Sequence, residues 1–310
     1  MRIVFMGTPE FAVPSLEMLV NEGYEVVAVV TQPDKPKGRG NKLAAPPTKE
    51  YALKNNIKVF QPVKVKTPEF AKELEDLKPD LLVTVAYGRI LPQNVLDIPP
   101  LGCINVHGSL LPKYRGAAPI QWSIINGENV TGITTMYTDI GMDTGDMLLK
   151  SGIKITDDMT AGELHDKLSV IGAQVLRDTL KKLEDGTLER IPQINEEATY
   201  APMMQKETGL INWTKSSKEI HNLVRGTNPW PGAYTFFGGE RVRVWKTEVS
   251  DDSTAGQKPG TIQEVGKNGL IVFTGRGLIK ILEIQLDSGK RMKVGDYIRG
   301  HKLDLGEVLG

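Results

Sequence analysis

The chain has 310 residues and a mass of 34.1 kDa, which exceeds the usual single domain and predicts a large domain with a smaller one. Hydrophobic residues make up 40% of the sequence and charged residues 25%, and 38 Lys and Arg balance 38 Asp and Glu, a composition that excludes a wholly disordered chain. Cys103 is the only cysteine, which excludes an intramolecular disulfide bond and a thiolate metal cluster.

The first apolar run, residues 2–6, is too short and too soon followed by Gly and Pro to be a secretory signal or a membrane-spanning segment. We therefore expect a cytoplasmic protein without membrane contacts. The run is instead predicted to be a buried strand, followed by a helix over residues 10–21 and a second strand over residues 25–31. This order favours parallel strands joined by a right-handed crossover.

Four cations follow the second strand within a short loop that also holds two glycines. They are Lys35, Lys37, Arg39 and Lys42. Most basic loops are simply solvated, which is the first interpretation. The second is that long cationic side chains on a flexible loop bind the phosphate groups of a nucleic acid.

Further helices and strands extend the predicted sheet. Residues 48–55 and 68–77 are predicted helices, and residues 80–86 and 103–107 are predicted strands. The pattern is typical of a doubly wound, mostly parallel α/β sheet, whose ligand site lies outside the carboxyl ends of the strands. Residues 7–9 lack the further glycines of a dinucleotide-binding loop, so NAD is not expected.

Asn105 and His107 lie at the end of the predicted strand over residues 103–107. Residues two apart in a strand share a face, so these two polar side chains are expected to project together. One interpretation is a structural pair with satisfied hydrogen bonds. The other is a catalytic pair, in which the amide stabilises negative charge on an oxygen and the imidazole moves protons.

Asp143 lies between Gly141 and Gly145, in a loop that follows a predicted strand over residues 132–138. The two glycines allow a tight turn that can hold Asp143 close to His107, where a carboxylate would fix the orientation of the imidazole. A solvated turn is the alternative interpretation. The loop has too few regularly spaced oxygen ligands for a calcium site.

A long helix closes the first predicted domain. Residues 160–163 have capping-box spacing and precede a long amphipathic run. Residues 190–207 carry two prolines without clear periodicity, as expected for a linker. The predicted domains are therefore residues 1–189 and 208–310.

The carboxy-terminal part changes character after a short predicted helix over residues 217–225. Its predicted strands, separated by glycines, cover residues 234–237, 241–249, 261–265, 270–274 and 278–286. This pattern favours a small β-barrel like those that bind oligonucleotides. Residues 208–310 hold 15 Lys and Arg against 11 Asp and Glu. Arg241, Arg243 and Lys246 are candidates for a groove that follows a nucleic-acid backbone.

The whole set of motifs resembles the folate-dependent formyltransferase family. The resemblance rests first on Asn105, His107 and Asp143, on Ser-Leu-Leu-Pro at residues 109–112 and on Asp-x-Gly-x-Asp-Thr-Gly at residues 139–145. It extends nearly end to end through Met-Gly-Thr-Pro-Glu-Phe at residues 6–11, Thr-Gln-Pro-Asp-Lys-Pro at residues 31–36, Gly-Arg-Gly at residues 38–40 and Asn-Pro-Trp-Pro at residues 228–231. The full set is specific, whereas each piece alone is not.

The resemblance implies transfer of a formyl group from 10-formyltetrahydrofolate to a free amine through a tetrahedral intermediate. It implies that Asn105 and His107 stabilise the oxyanion, and that Asp143 holds His107 and helps the amine lose its proton. The implied folate-lining residues are Ser109, Leu110, Leu111, Pro112, Tyr87, Arg89, Ile90 and Leu91. No catalytic metal is expected, because no cluster in the sequence has metal-ligand spacing.

The resemblance also implies the acceptor, the methionyl group of initiator tRNA, contacted by the basic loop at residues 35–42 and by the barrel. No obligate protein partner is evident. Two enzymatic alternatives stay open: a formyltransferase acting on a small amine, such as a purine precursor or a nucleotide sugar, and a formylfolate hydrolase. The basic loop and the barrel argue against both, because neither is needed for a small acceptor. A non-catalytic RNA-binding protein is a third alternative, which the intact Asn105, His107 and Asp143 disfavour.

Overall fold

The computed structural model describes residues 1–37, 42–252, 257–287, 289–301 and 303–310. The chain divides into two compact units. The first comprises residues 1–119, 130–154 and 165–202, and the second comprises residues 120–129, 155–164 and 203–310. The expected domains, residues 1–189 and 208–310, stay a prediction. Across the described ranges no helix is both long enough and apolar enough to span a membrane.

A seven-stranded sheet forms the centre of the first unit, as far as its residues are described. The strands of this unit are β1 (Arg2–Gly7), β2 (Glu25–Val30), β3 (Lys35–Lys37), β4 (Lys42–Ala44), β5 (Val59–Phe60), β6 (Leu81–Val85), β7 (Cys103–His107), β8 (Arg115–Gly116), β9 (Val130–Tyr137), β10 (Met147–Lys154) and β11 (Tyr200–Ala201). The sheet order is β10–β9–β7–β6–β1–β2–β5, in which β9 and β10 are antiparallel to their neighbours and the other strands are parallel. Strands β3 and β4 pair antiparallel, and β8 pairs in parallel with β11. The predicted doubly wound, mostly parallel sheet is confirmed.

Several helices begin at recognisable sequence signals. The first unit holds α1 (Val13–Asn21), α2 (Pro47–Lys54), α3 (Pro68–Asp76) and α4 (Gln93–Leu96), whereas α5 (Pro119–Ile125) belongs to the second unit apart from Pro119, and α6 (Ala161–Glu184) belongs to the first unit from His165 onward. At the start of α3 the Thr67 hydroxyl accepts a hydrogen bond from the Phe70 N–H at 3.3 Å, and Pro68 occupies the first turn, where its missing N–H costs nothing. Phe70 and Leu74 of α3 then pack in the core with residues of β1.

The sheet departs from a purely parallel arrangement at the edge formed by β9 and β10. Strand β9 was predicted from sequence, whereas β10 was not. Lys150 and Lys154 interrupt the apolar pattern of β10, as is common in an edge strand with one solvated face. Because β9 follows β7 in the sheet, β7 is an interior strand that is paired on both sides.

Among its described residues the second unit contains one antiparallel sheet, and its predicted strands are confirmed to within a few residues at each end. Its elements are α7 (Ser217–Gly226), β12 (Ala233–Phe237), β13 (Glu240–Asp251), β14 (Ile262–Gly266), β15 (Gly269–Phe273), β16 (Leu278–Leu286), β17 (Met292–Lys293) and α8 (Val294–Tyr297). The strand order is β12–β13–β16–β15–β14, with β17 beside β16. Val244, Val272 and Ile281 are buried in a single core of this unit, which is consistent with the predicted small all-β domain.

Helix α7 packs on β13 of the second unit and begins at a capping box. The Ser216 hydroxyl accepts from the Glu219 N–H at 3.3 Å, and the Glu219 carboxylate accepts from the Ser216 N–H at 2.9 Å. The Ser216 hydroxyl also donates to the Glu219 carboxylate at 2.7 Å, and this hydrogen bond together with that from the Ser216 N–H lowers the pKa of Glu219 to about 2. Ile220 and Val224 of this helix enter the core.

Candidate active site

Strand β7 carries Asn105 and His107, and its neighbour β6 fixes the orientation of the first. Thr84 of β6 lies opposite Asn105 in the parallel register, and its hydroxyl donates to Oδ1 of Asn105 at 2.9 Å. Because a donor already engages Oδ1, the Nδ2 group on the other side of the amide is the one that can donate to a ligand. The amide is thereby prepared to donate rather than to accept.

His107 is 5% exposed and has a contact at each ring nitrogen. Its Nε2 lies 2.9 Å from the carbonyl oxygen of Tyr114, and its Nδ1 lies 3.7 Å from Oδ2 of Asp143. A carbonyl oxygen can only accept, so Nε2 carries a proton and Nδ1 is the nitrogen that faces the carboxylate. Tyr114 presents this carbonyl from a φ of 62°, a conformation that non-glycine residues rarely adopt and that is found preferentially at functional sites.

Asp143 also has a positive φ, 54°, which Asp tolerates better than most residues. Its Oδ2 accepts a hydrogen bond from the Gly116 N–H at 2.8 Å. At the start of the same loop, the Asp139 carboxylate accepts from the Thr144 hydroxyl at 2.7 Å. The loop thus places a half-buried carboxylate beside His107. Within the described ranges, no place in the chain brings together three or more His, Cys, Asp or Glu side chains that could hold a metal ion.

The Ser-Leu-Leu-Pro segment after His107 folds back onto β9 and β10. The Thr134 hydroxyl donates to the Ser109 carbonyl at 2.7 Å and accepts from the Leu111 N–H at 3.1 Å. Lys150 donates to the Leu111 carbonyl at 2.5 Å, and burial lowers the pKa of this lysine. The Ser109 and Leu111 side chains are buried in the protein, whereas Leu110 and Pro112 of the predicted folate-lining set are half-buried.

The second predicted folate-lining segment, residues 87–91, is likewise divided between buried and exposed side chains. Tyr87 and Leu91 are buried, and Arg89 and Ile90 are exposed. The Tyr87 hydroxyl has no hydrogen-bond partner within the described part of the chain, and burial raises its pKa to about 12. Arg89 and Ile90 are therefore the two side chains of this segment that a ligand can reach.

A cavity of about 450 Å³ opens beside β7. Cys103 in its wall lies two residues before Asn105 and hence on the same strand face, roughly 7 Å along the strand. Thr138, whose buried hydroxyl lacks a partner among the described residues, and Asp139 also line it. The remaining wall residues are Gln93, Leu96, Asp97, Pro100, Leu101, Gly102, Tyr137, Ile140 and Arg190. The cavity combines apolar surface with carboxylates and a free hydroxyl, and none of the predicted folate-lining residues is among these wall residues.

Several residues that orient the candidate catalytic groups were not found from sequence. They are Thr84, Tyr114, Gly116, Arg115 and Gln193. Gln193 lies in the segment expected to be a linker, yet it donates to the carbonyl oxygens of Asp143 and Gly145, both at 2.8 Å. The pair Arg115–Gly116, a charged residue followed by glycine two residues beyond the Ser-Leu-Leu-Pro motif, is the one sequence signal that could have drawn attention to this region.

The predicted RNA-binding cations have different surroundings. Arg39 and the side chains of Lys37 and Lys42 lie outside the described residues, and the Lys35 ammonium donates to Gln32 at 2.8 Å. In the second unit, the Arg241 guanidinium donates twice to Asp287, and this contact raises the pKa of Arg241. Arg243 and Lys246 form no ion pair with a carboxylate in the described part of the chain. Of the three barrel candidates, these two are therefore free to meet a phosphate.

The sequence matches known proteins along its length. Residues 1–180 match the family model described as "Formyl transferase", and residues 203–302 match the one described as "Formyl transferase, C-terminal domain". Relatives called methionyl-tRNA formyltransferase, from Acetivibrio thermocellus and Ruminiclostridium cellulolyticum, are 69% and 64% identical, with 100% of this chain and 100% of each relative covered. A solved N-formyltransferase from Helicobacter canadensis, in complex with folinic acid and dTDP-3-aminofucose, shares the fold at 21% identity and a TM-score of 0.68, covering 90% of this chain and 98% of that one. The chain therefore belongs to the formyl transferase family.

Proposed function

We propose that this formyltransferase moves the formyl group of 10-formyltetrahydrofolate to the α-amino group of methionyl initiator tRNA in the cytoplasm. One observation carries the reaction type: Asn105 and His107 share a strand face, and His107 Nδ1 lies 3.7 Å from the Asp143 carboxylate. The acceptor is supported by the relatives that are 69% and 64% identical over their full length, since their name specifies methionyl-tRNA.

Asn105 donates to the oxyanion that forms when the amine attacks the formyl carbon, and His107 stabilises it as well once its Nε2 proton turns from the Tyr114 carbonyl to the oxyanion. The Asn105 amide is already oriented for this role, because its Oδ1 is occupied by the Thr84 hydroxyl and its Nδ2 group remains to donate. A single positioned donor of this kind contributes roughly 10²–10³-fold in rate. When the tetrahedral intermediate collapses, the bond between the formyl carbon and the folate nitrogen breaks, and that nitrogen takes up a proton.

Asp143 takes the proton of the attacking amine, directly or through a water molecule. Only the neutral amine is nucleophilic, so a base must accept a proton before or during attack. The Asp143 carboxylate is held beside His107 by the Gly116 N–H at 2.8 Å and keeps the imidazole in place. The same carboxylate therefore serves both the amine and the imidazole.

The cavity beside β7 is the proposed place for the ring system of the folate. Its volume of about 450 Å³ falls in the ~300–1,000 Å³ range of small-molecule pockets. The Asp97 and Asp139 carboxylates and the Thr138 hydroxyl offer acceptors for the ring N–H groups. Residues 109–112 and 87–91 keep their proposed place around the donor, with Leu110, Pro112, Arg89 and Ile90 as the side chains that can reach it.

The tRNA contacts are proposed for the basic loop of the first unit and for the sheet of the second. The residues are Lys35, Lys37, Arg39, Lys42, Arg241, Arg243 and Lys246. They supply the long cationic side chains that phosphate groups require. The proposal includes no catalytic metal and no obligate protein partner.

The function is tested by incubating the protein with 10-formyltetrahydrofolate labelled in the formyl carbon. We expect label on methionyl initiator tRNA, and no comparable label on free methionine, on a nucleotide amino sugar or on a purine-precursor amine. An Asp143→Asn protein is the matched control and should transfer about 100-fold more slowly or worse. Preferential labelling of a small amine would contradict the acceptor, and release of free formate as the main product would instead indicate a hydrolase.

A further inference from the structure

The segment of residues 190–202, which the sequence indicates to be part of a linker, is hydrogen-bonded to the loop that carries Asp143. Gln193 Nε2 donates to the Asp143 carbonyl and to the Gly145 carbonyl, each at 2.8 Å. One side-chain amide thus spans the loop on both sides of Thr144. All three residues belong to the first unit.

Arg115 fixes which way the Gln193 amide points. Its guanidinium Nε donates to Gln193 Oε1 at 3.0 Å, and its NH2 group donates to Asn195 Oδ1 at 3.0 Å. A guanidinium has donors only, so the oxygen of the amide must face Arg115 and the NH₂ group must face the loop. Arg115 is 2% exposed and forms no ion pair with a carboxylate in the described part of the chain. A buried charge held by two neutral amides has a high desolvation cost, which points to a role beyond stability.

Strand β8 holds Asp143 at two points at once. Arg115 acts on the Asp143 carbonyl through Gln193, and the next residue, Gly116, donates from its own N–H to Asp143 Oδ2. The β8 backbone is itself fixed by pairing with β11, and a Cβ at position 116 would meet the Ala201 carbonyl at 2.7 Å. Hydrogen bonds to both its carbonyl and its carboxylate therefore hold Asp143 in the left-handed backbone conformation. A strained conformation of this kind persists only where the surrounding structure fixes it in this way.

We propose that Gln193, oriented by Arg115, is a positioning residue that holds Asp143 in its reactive place beside His107. The inference rests on the proposed function, in which Asp143 accepts the proton of the amine. Without the Gln193 amide, the loop is free to relax from the positive φ of Asp143, and the carboxylate moves with it. A displacement of about 1 Å in a catalytic group costs up to roughly 100-fold in rate.

The test compares two isosteric substitutions that add the same charge beside Arg115. Gln193→Glu keeps the acceptor for Arg115 but removes the NH₂ group that holds the loop. Asn195→Asp also places a carboxylate on Arg115, yet Asn195 has no hydrogen bond to the loop. We expect Gln193→Glu to lower kcat by about 10- to 100-fold with KM for both substrates changed less than about twofold, and Asn195→Asp to keep kcat within about twofold. If Gln193→Glu fails to fold, Gln193→Met, which is neutral and similar in length, replaces it.

A double-mutant cycle with Asp143→Asn separates a positioning role from a general structural one. If Gln193 acts through Asp143, adding Gln193→Glu to Asp143→Asn should cost less than about threefold more. Losses that multiply, an unchanged kcat in Gln193→Glu, or an equal loss in Asn195→Asp would each overturn the inference. If Asp143→Asn itself turns over like the unmodified protein, the proposed role of Asp143 fails first, so the two failures are distinguishable.

Discussion

Thr84 and Tyr114 hold the two polar side chains of β7 in place. The hydroxyl of Thr84 engages the Asn105 amide, and the carbonyl of Tyr114 engages His107 Nε2. Neither residue needs to touch a reacting atom, because each acts by leaving one defined group of its neighbour free. At the scale of single residues, the site therefore consists of two catalytic side chains, each oriented by one hydrogen bond with a neighbour.

Replacing Thr84 by Val should impair turnover without harming the fold. Val has nearly the shape of Thr but lacks the hydroxyl, so Asn105 loses the donor that fixes its amide. We expect kcat to fall about 3- to 10-fold, the scale of one neutral hydrogen bond, with an unchanged melting temperature. Thr84→Ser, which restores the hydroxyl, should recover most of the activity. A Thr84→Val protein with normal kcat would show that the amide is oriented by something else.

At the scale of elements, the sequence predicted strands and helices that show a local pattern, but not the pairings between distant segments. Strand β7 and its polar residues could be read from sequence, because alternation within five residues defines the face on which Asn105 and His107 lie. The two-residue pairing of β8 with β11 could not, since strands this short have no periodicity and their partners are 85 residues apart. For the same reason no local signal connects Gln193 with Asp143, and the edge strand β10 was hidden by its lysines.

The proposed place of the folate ring in the cavity beside β7 can be tested by filling the cavity with a large side chain. Leu101 lines it and is 39% exposed, so a Trp at this position can occupy the cavity without replacing a core side chain. We expect Leu101→Trp to weaken tetrahydrofolate binding, measured by calorimetry, by about tenfold or more. Val63→Trp is the control, because Val63 is exposed and is not a wall residue. Unchanged binding in Leu101→Trp would move the folate to the side of residues 109–112.

Helix α7 gives the second unit a pH dependence that can be measured. His221 is buried, with Nδ1 2.9 Å from the Thr247 hydroxyl and Nε2 3.0 Å from the Asp157 carbonyl. Burial lowers the pKa of His221, and the nearby Arg225 adds to this, whereas the Asp157 carbonyl and the carboxylates of Asp157 and Asp158 oppose it. The folded protein therefore binds this proton less tightly than the unfolded chain does, so stability is intact above about pH 6.5 and declines as the pH falls below it.

We expect the melting temperature of the unmodified protein to fall by up to about 2–4 °C per pH unit below that point on account of His221. A His221→Gln protein keeps a donor and an acceptor but cannot titrate, so its melting temperature should change less over the same interval. Parallel curves for the two proteins would mean that His221 has no part in the pH dependence.

For the whole molecule, the net charge is zero, but the cations differ in whether a carboxylate neutralises them. Arg241 is neutralised by Asp287, whereas Arg243 and Lys246 lack a carboxylate partner among the described residues. A polyanion releases counterions only from contacts that add uncompensated positive charge. The barrel cations should therefore contribute unequally to tRNA binding.

Salt dependence measures this inequality directly. Replacing both Arg243 and Lys246 by Ala should weaken tRNA binding and reduce the slope of log affinity against log salt by about one unit per lost phosphate contact. Arg241→Ala is the comparison variant and should reduce the slope less, because Asp287 already engages the Arg241 guanidinium. Equal slopes in the unmodified protein, the double variant and Arg241→Ala would mean that the RNA contacts lie elsewhere than on this sheet.

The hydrogen bonds of residues 190–202 also decide where the protein can be recombined with its relatives. The family match to the first domain stops at residue 180, and α6 ends at Glu184, so a chimaera would naturally be joined there. Such a chimaera would draw Gln193 and β11 from one parent and the Asp143 loop and β8 from the other. The part of the chain that must come from one parent to keep the Asp143 loop in place therefore extends beyond the family match, through residue 202. A junction at residue 203, where the second match begins, is the one that passes it on intact.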